Sequence, residues 1–245
     1  MEEKNSDFVA YAPSLSGGWT FTIDCKAETI AETYGELLGA CNGVFQAGKR
    51  FLTPTVVTYA LNGFDDDIDV KNMYDTSAID VSSDEIRSTN GLDYEQVAAR
   101  IGEHAESMDS VVSISEVKIE AGRVHVTLDG RDVEVSRETE DLYRWVNHGE
   151  LVDRRPVCDP IEVTVLRRKD YPSDVPVYKV CIDIHSDIWY ESDEIGERNR
   201  ERLADFLRRL YVVLNPRDVD FHAERGSPFD SFYTRQGEEH DLPFE

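Results

Sequence analysis

Residues able to do chemistry gather most densely between Val177 and Glu224. VYKVCIDIHSDIW alternates as a strand does: Val180, Ile182 and Ile184 share one face, and Cys181, Asp183, His185 and Asp187 share the other. After a long helical stretch, RDVDFHAER alternates again, with Val219, Phe221 and Ala223 turned inward and Asp220, His222 and Glu224 outward. Residues two apart on a strand are separated by about 6.6 Å. A strand–helix–strand unit within one sheet makes its two strands parallel near neighbours. Asp183, His185, His222 and Glu224 therefore form a candidate set for a divalent metal ion, or for general acid–base work by imidazole and carboxylate. The competing reading is a solvated face. A chain this acidic places carboxylates on every exposed strand, and D-x-H-x-D without a third anchor is not a specific signature.

Other motifs carry less. Gly43-Val44-Phe45-Gln46-Ala47-Gly48-Lys49 fits G-x-x-x-x-G-K, but Arg50 stands where a phosphate loop needs Ser or Thr. A helix precedes it and a strand follows, the reverse of a phosphate loop, so Gly48 reads as a helix cap. Neither G-x-S-x-G nor H-E-x-x-H occurs, and no motif calls for an organic cofactor. His104, His125 and His148 stand singly. Cys25, Cys41, Cys158 and Cys181 form no C-x-x-C pair, and Cys41, on an apolar helix stripe, reads as a buried thiol.

The elements that must position these residues are legible from periodicity. FVAYA (8–12) and WTFTID (19–24) read as strands around a PSLSGG turn. A helix is predicted from about Lys26 to Phe45, followed by a strand in TPTVVTYALNG that Asn62-Gly63 stops. Residues 62–92 read as a linker or long surface loop, poor in apolar anchors. Asp93 with Gln96 opens a helix whose stripe is Val97, Ile101, Ala105 and Met108. VVSISEVKI, RVHVTL and DVEVS follow as a meander with Ala121-Gly122 and Asp129-Gly130 at its turns. Ser136 caps a short helix carrying Leu142, Trp145 and Val146, and IEVTVLRR is the next strand. The last helix has Ser192 as its cap, Ile195, Leu203, Phe206, Leu207, Leu210, Tyr211 and Leu214 on one face, and Asn215-Pro216 as its stop. Glu194 with Arg198 and Asp205 with Arg209 are spaced as ion pairs on its wet side. The fold class expected is α+β: mainly antiparallel sheet with packed amphipathic helices. Residues 8–61 and 161–224 both read ββαβ, which admits an internal duplication. The expected organisation is one α+β domain over residues 1–225, with a subdivision conceivable within 62–92, and a C-terminal extension over 226–245.

Composition narrows the function classes. Fifty acidic residues against 26 basic ones give a net charge of −24, dispersed along all 245 residues. Lysine is confined to Lys4, Lys26, Lys49, Lys71, Lys118, Lys169 and Lys179. That balance suits concentrated salt, where a Debye length of about 3 Å near 1 M screens self-repulsion. It opposes nucleic acid, whose binding needs clustered Lys and Arg, and anionic membrane surfaces. No apolar run approaches the ~20 residues of a membrane helix, and MEEKNSDF is not a signal sequence, so a cytoplasmic protein is expected. The extension places Phe229, Phe232, Tyr233 and Phe244 among polar residues, which suits a segment that packs on its own domain, one that docks to a protein partner or mediates self-association, or a disordered one. Two functions follow as expectations. One is a non-catalytic interaction or assembly protein of a salt-adapted cytoplasm. The other is a metal-dependent or acid–base hydrolase built on Asp183, His185, His222 and Glu224.

Overall fold

Two reciprocal capping boxes set the starts of the first two helices in the computed structural model, which describes residues 17–65, 68–70, 72–128, 131–136, 160–170, 173–184, 189 and 194–223. Thr29 accepts from the Glu32 amide at 3.2 Å while the Glu32 carboxylate accepts the Thr29 amide at 3.1 Å, opening α1 (Ile30–Gly48). Asp93 and Gln96 repeat the arrangement at 2.8 and 3.1 Å for α2 (Tyr94–Glu106), as the sequence predicts. Each box satisfies amides that a helix start would otherwise leave without acceptors. α1 begins later than expected and runs through Gly48, with Lys49 as its C-cap. The third helix, α3 (Glu194–Leu214), ends at Asn215, whose φ of 46° takes the left-handed conformation that stops a helix.

The strands are β1 (Gly17–Asp24), β2 (Leu52–Thr53), β3 (Val56–Phe64), β4 (Asp80–Arg87), β5 (Val111–Ala121), β6 (Arg123–Leu128), β7 (Arg131–Ser136), β8 (Ile161–Asp170), β9 (Val175–Ile184) and β10 (Asp218–Ala223). A seven-stranded sheet runs β10-β1-β9-β8-β5-β3-β4, and a three-stranded sheet runs β2-β6-β7. Every neighbouring pair is antiparallel. The expected α+β class is the one observed.

Several details differ from the sequence reading. The predicted meander divides, because β5 joins the large sheet while β6 and β7 form the small one. Within the stretch read as a loop, residues 80–87 form β4, which pairs with β3 over eight positions; Ser82 and Glu85, spaced for a capping box, lie in this strand. Its apolar signal is weak because the side chains of one face, Val81, Ser83 and Glu85, are exposed. On α3, Leu203, Phe206, Leu207, Leu210 and Leu214 are buried as expected, but Tyr211 is exposed. Asp205 pairs with Arg208 at 3.1 Å, one position short of the expected Arg209. Ser136, read as a helix cap, is the last residue of β7 and pairs with Arg123. The helix expected after it, with Leu142, Trp145 and Val146, the expected strand at 8–12, the cap Ser192, and His148, His185, Asp187, Glu224 and the segment 226–245 with Phe229, Phe232, Tyr233 and Phe244 lie outside the described residues.

One apolar cluster draws on both sheets and all three helices, including Trp19, Phe21, Cys41, Val97, Ile101, Val126, Val165, Ile182 and Phe206. Phe51 stacks on Phe206 at 5.1 Å between ring centroids and meets Trp189 at 6.3 Å. Full burial of each such side chain contributes about 1.5–3 kcal/mol. α3 also reaches the small sheet by a polar contact. The buried Asn199 accepts the Thr127 amide at 2.7 Å and donates to the Thr127 carbonyl at 3.2 Å. β2 pairs with β6 only at Val124 and Arg123, so Asn199 takes over as the hydrogen-bonding edge where β2 has ended. No helix among the described residues is long and apolar enough to cross a membrane.

Candidate functional site

β9 and β10 are parallel, as a strand–helix–strand unit requires, but they are not adjacent: β1 lies between them, antiparallel to both. Gly18 sits opposite Asp183 on one side and His222 on the other. A Cβ at Gly18 would overlap the carbonyl oxygen of Ile182, so glycine is required there. With no side chain between them, Asp183 and His222 meet across β1, Nε2 to Oδ1 at 3.1 Å. The inward partners of this row are also as read from the sequence. Ile182 and Ile184 are fully buried, and Trp19 meets Phe221 at 5.4 Å.

The structure thus brings together Asp183 and His222, two of the four residues singled out; His185 and Glu224 lie outside the described residues. Among the described residues, no three His, Cys, Asp or Glu side chains are grouped to hold a metal ion. The contact is a carboxylate-held imidazole whose second ring nitrogen is unoccupied by it, at the surface of the sheet face opposite the apolar cluster. Such a pair can relay a proton. The neighbouring row of the same face carries Thr20 and Cys181. Thr20 donates to the Cys181 sulfur at 3.6 Å. Burial pushes the Cys181 thiol up from its ordinary range, with the Asp183 carboxylate adding to the effect against the Thr20 bond. A thiol held protonated is a poor nucleophile.

Sequence reasoning missed two further polar arrangements. The first is a chain of contacts beneath the start of α1. Cys25 donates to the Tyr178 hydroxyl at 3.3 Å, Tyr178 to the Thr33 carbonyl at 3.4 Å, and the Thr33 and Ser113 hydroxyls meet at 2.7 Å. Arg167 then donates to Ser113 at 2.6 Å and lies 5.0 Å from the centre of the Tyr74 ring. Arg167 sits on the covered face of β8, and among the described residues it forms no ion pair with a carboxylate. Burial lowers its pKa from the ordinary value, and burial raises those of Cys25, Tyr74 and Tyr178. Burial thus favours the protonated, neutral forms of Cys25, Tyr74 and Tyr178 and works against the charge of Arg167. The second arrangement pins α2 to the sheet. His104 bonds Tyr59 through Nδ1 at 3.0 Å and Ser82 through Nε2 at 2.9 Å. The only local signal for it was the position of His104 beside the α2 stripe of Ile101 and Ala105. Its partners come from β3 and from the strand the sequence did not show.

No family model matches the chain, and no curated protein and no solved structure matches it.

Proposed function

We propose that the chain is an interaction or assembly protein acting through protein–protein contacts in a salt-adapted cytoplasm. The observation that carries this reading is the last turn of α3, where Tyr211, Val212 and Val213 are 39, 77 and 45% exposed. These three consecutive apolar residues stand out on a surface otherwise rich in carboxylates. Beside them lies a hollow of about 500 Å³, bounded by Ile23, Val213, Leu214 and Pro216 and by the charged Asp24, Lys26, Glu36 and Arg217. An apolar turn on the rim of a hollow with a polar border matches the anatomy of a contact patch, in which a few desolvated side chains carry most of the affinity. The occupant is a protein partner offering an apolar side chain to the hollow. The aromatic residues Phe229, Phe232, Tyr233 and Phe244 belong to the same reading as additional contacts.

The test is Val212→Asp, which changes an exposed side chain and leaves the buried face of α3 untouched. In pull-downs from the native host at high salt, the wild-type chain should retain a specific partner, and the variant should lose it while keeping the wild-type melting temperature. Identical partners for both proteins would remove α3 from the reading.

A second reading rests on the 3.1 Å contact between His222 and Asp183. It is a hydrolase in which His222 is the general base and His185 and Glu224 complete an acid–base or metal site. Stoichiometric metal in protein purified without chelator, lost in His185→Ala, would support it; metal-free protein with no affinity for Mn, Zn or Mg would exclude its metal form.

A further inference from the structure

β4 closes the large sheet at the end opposite β10, and among the described residues nothing pairs with its outer edge. An unpaired edge presents a row of amides and carbonyls to any extended chain, and proteins usually blunt it with lysine, proline or a bulge. β4 has none of these three; its guard is charge, with Asp80, Asp84, Glu85 and Arg87 among its eight residues, and three of the four are acidic. Asp80-Val81-Ser82-Ser83-Asp84-Glu85-Ile86-Arg87 contains neither lysine nor proline, and its register with β3 is unbroken. Val81 is 67% exposed, and Ile79, just before the strand, 58%.

Val81, Ser83 and Glu85 share the sheet face turned away from the apolar cluster, opposite Asn62, Ala60 and Thr58. A hollow of about 430 Å³ lies there. Its floor is small, with Thr58, Ala60 and Ser83, and its carboxylates are Glu85 and Glu116, since Asp84 turns to the other face. Asp84 is opposed by Arg100 at 3.5 Å and Glu85 by Arg87. Glu116 is exposed and has no cationic partner among the described residues.

We propose that β4 is a docking edge for an extended segment of a partner protein, which adds an eighth strand and lowers a lysine or arginine into the hollow beside Glu116. Strand addition uses main-chain hydrogen bonds for affinity and alternate side chains for specificity. A residue directly opposite Ser83 would fall on the same sheet face, above the hollow that this small side chain leaves. Residues two positions away would lie against Val81 and Glu85. Charge selects the occupant. A second copy of the chain would set Glu85 and Glu116 against the same carboxylates at contact range, whereas a basic segment meets Glu116, which has no cationic partner among the described residues. The proposal concerns a surface distinct from the end of α3.

The experiment is fluorescence anisotropy on the full chain with a labelled Thr-Val-Thr-Lys-Thr-Val-Thr peptide. Its valines and lysine lie on one side of an extended strand. Saturable binding is expected, weakened about tenfold or more by Glu in place of Lys, weakened similarly by Glu116→Gln, and abolished by N-methylation of alternate amides. Val212→Asp should leave it unchanged, so loss of one surface is distinguishable from loss of the other. No saturable binding up to about 1 mM, equal binding of the lysine and glutamate peptides, or unchanged affinity in Glu116→Gln would each overturn the proposal.

Discussion

Asn199 offers the sharpest test of how α3 and the small sheet hold each other. Its side chain is fully buried and satisfies both the amide and the carbonyl of Thr127, at 2.7 and 3.2 Å. Each buried backbone group left without a partner costs about 1–3 kcal/mol. Asn199→Leu keeps the branched shape but removes both bonds, so a loss of about 2–6 kcal/mol is expected, a large share of the 5–15 kcal/mol typical of a whole domain. Asn199→Asp can still accept the amide but sets a carboxylate against the Thr127 carbonyl, and should be no more stable than the leucine variant near neutral pH. Asn199→Ala adds a small cavity to the same hydrogen-bond loss. The assay is equilibrium urea unfolding at fixed high salt, comparing midpoints at a common m-value. A leucine variant within about 0.5 kcal/mol of wild type would refute the reasoning, since packing rather than hydrogen bonding would then be the contribution of Asn199.

Other outcomes follow from the same structure. Gly18→Ala should push β1 away from the Ile182 carbonyl, lower stability by about 1–3 kcal/mol, and break the Asp183–His222 contact; thermal melting, with the His222 ring signals read by NMR, checks both effects. Stability should also fall at alkaline pH. Burial raises the Cys25 thiol above its ordinary 9.0 and the Tyr74 and Tyr178 phenols above 10.0, so the folded chain holds these protons more tightly than the unfolded one. Their contribution is therefore complete below about pH 9 and declines as pH rises through the ordinary values toward the raised ones. Melting temperatures that stay flat from about pH 8 to 11 would contradict it. Finally, with a net charge of −24 the melting temperature should climb as KCl is raised from about 0.1 M, where the Debye length is about 10 Å, to 1 M and beyond. Full stability without added salt would count against salt adaptation.

Much of the fold is legible in local pattern. The apolar stripe of α3, the Asp93–Gln96 capping box and the alternation in β9 and β10 each depend on residues a few positions apart, so period and capping chemistry suffice to read them. The inward turn of Ile182 and Phe221 and the outward turn of Asp183 and His222 come from the same alternation. Where the alternation was weak the reading failed: β4 has one exposed face, so its sequence resembles a loop. Tyr211 failed for a different reason. It keeps the helical spacing of a buried residue, yet it is 39% exposed, because spacing alone does not say how far the core extends along the last turn.

What only the tertiary structure decided is which elements stand side by side. Asp183 and His222 touch because β1, from the other end of the chain, inserts between β9 and β10 and places Gly18, the one residue without a side chain, at the crossing. Tyr178 reaches Cys25 and Thr33, Arg167 reaches Ser113, and His104 reaches Tyr59 and Ser82, through strand pairings and helix packing that span tens of residues. The physical reason is the same in each case. A side chain's direction is set by the backbone within two to four residues, and one chain is enough to read it. Its neighbours are set by burial of the common apolar core, which no short window of sequence contains.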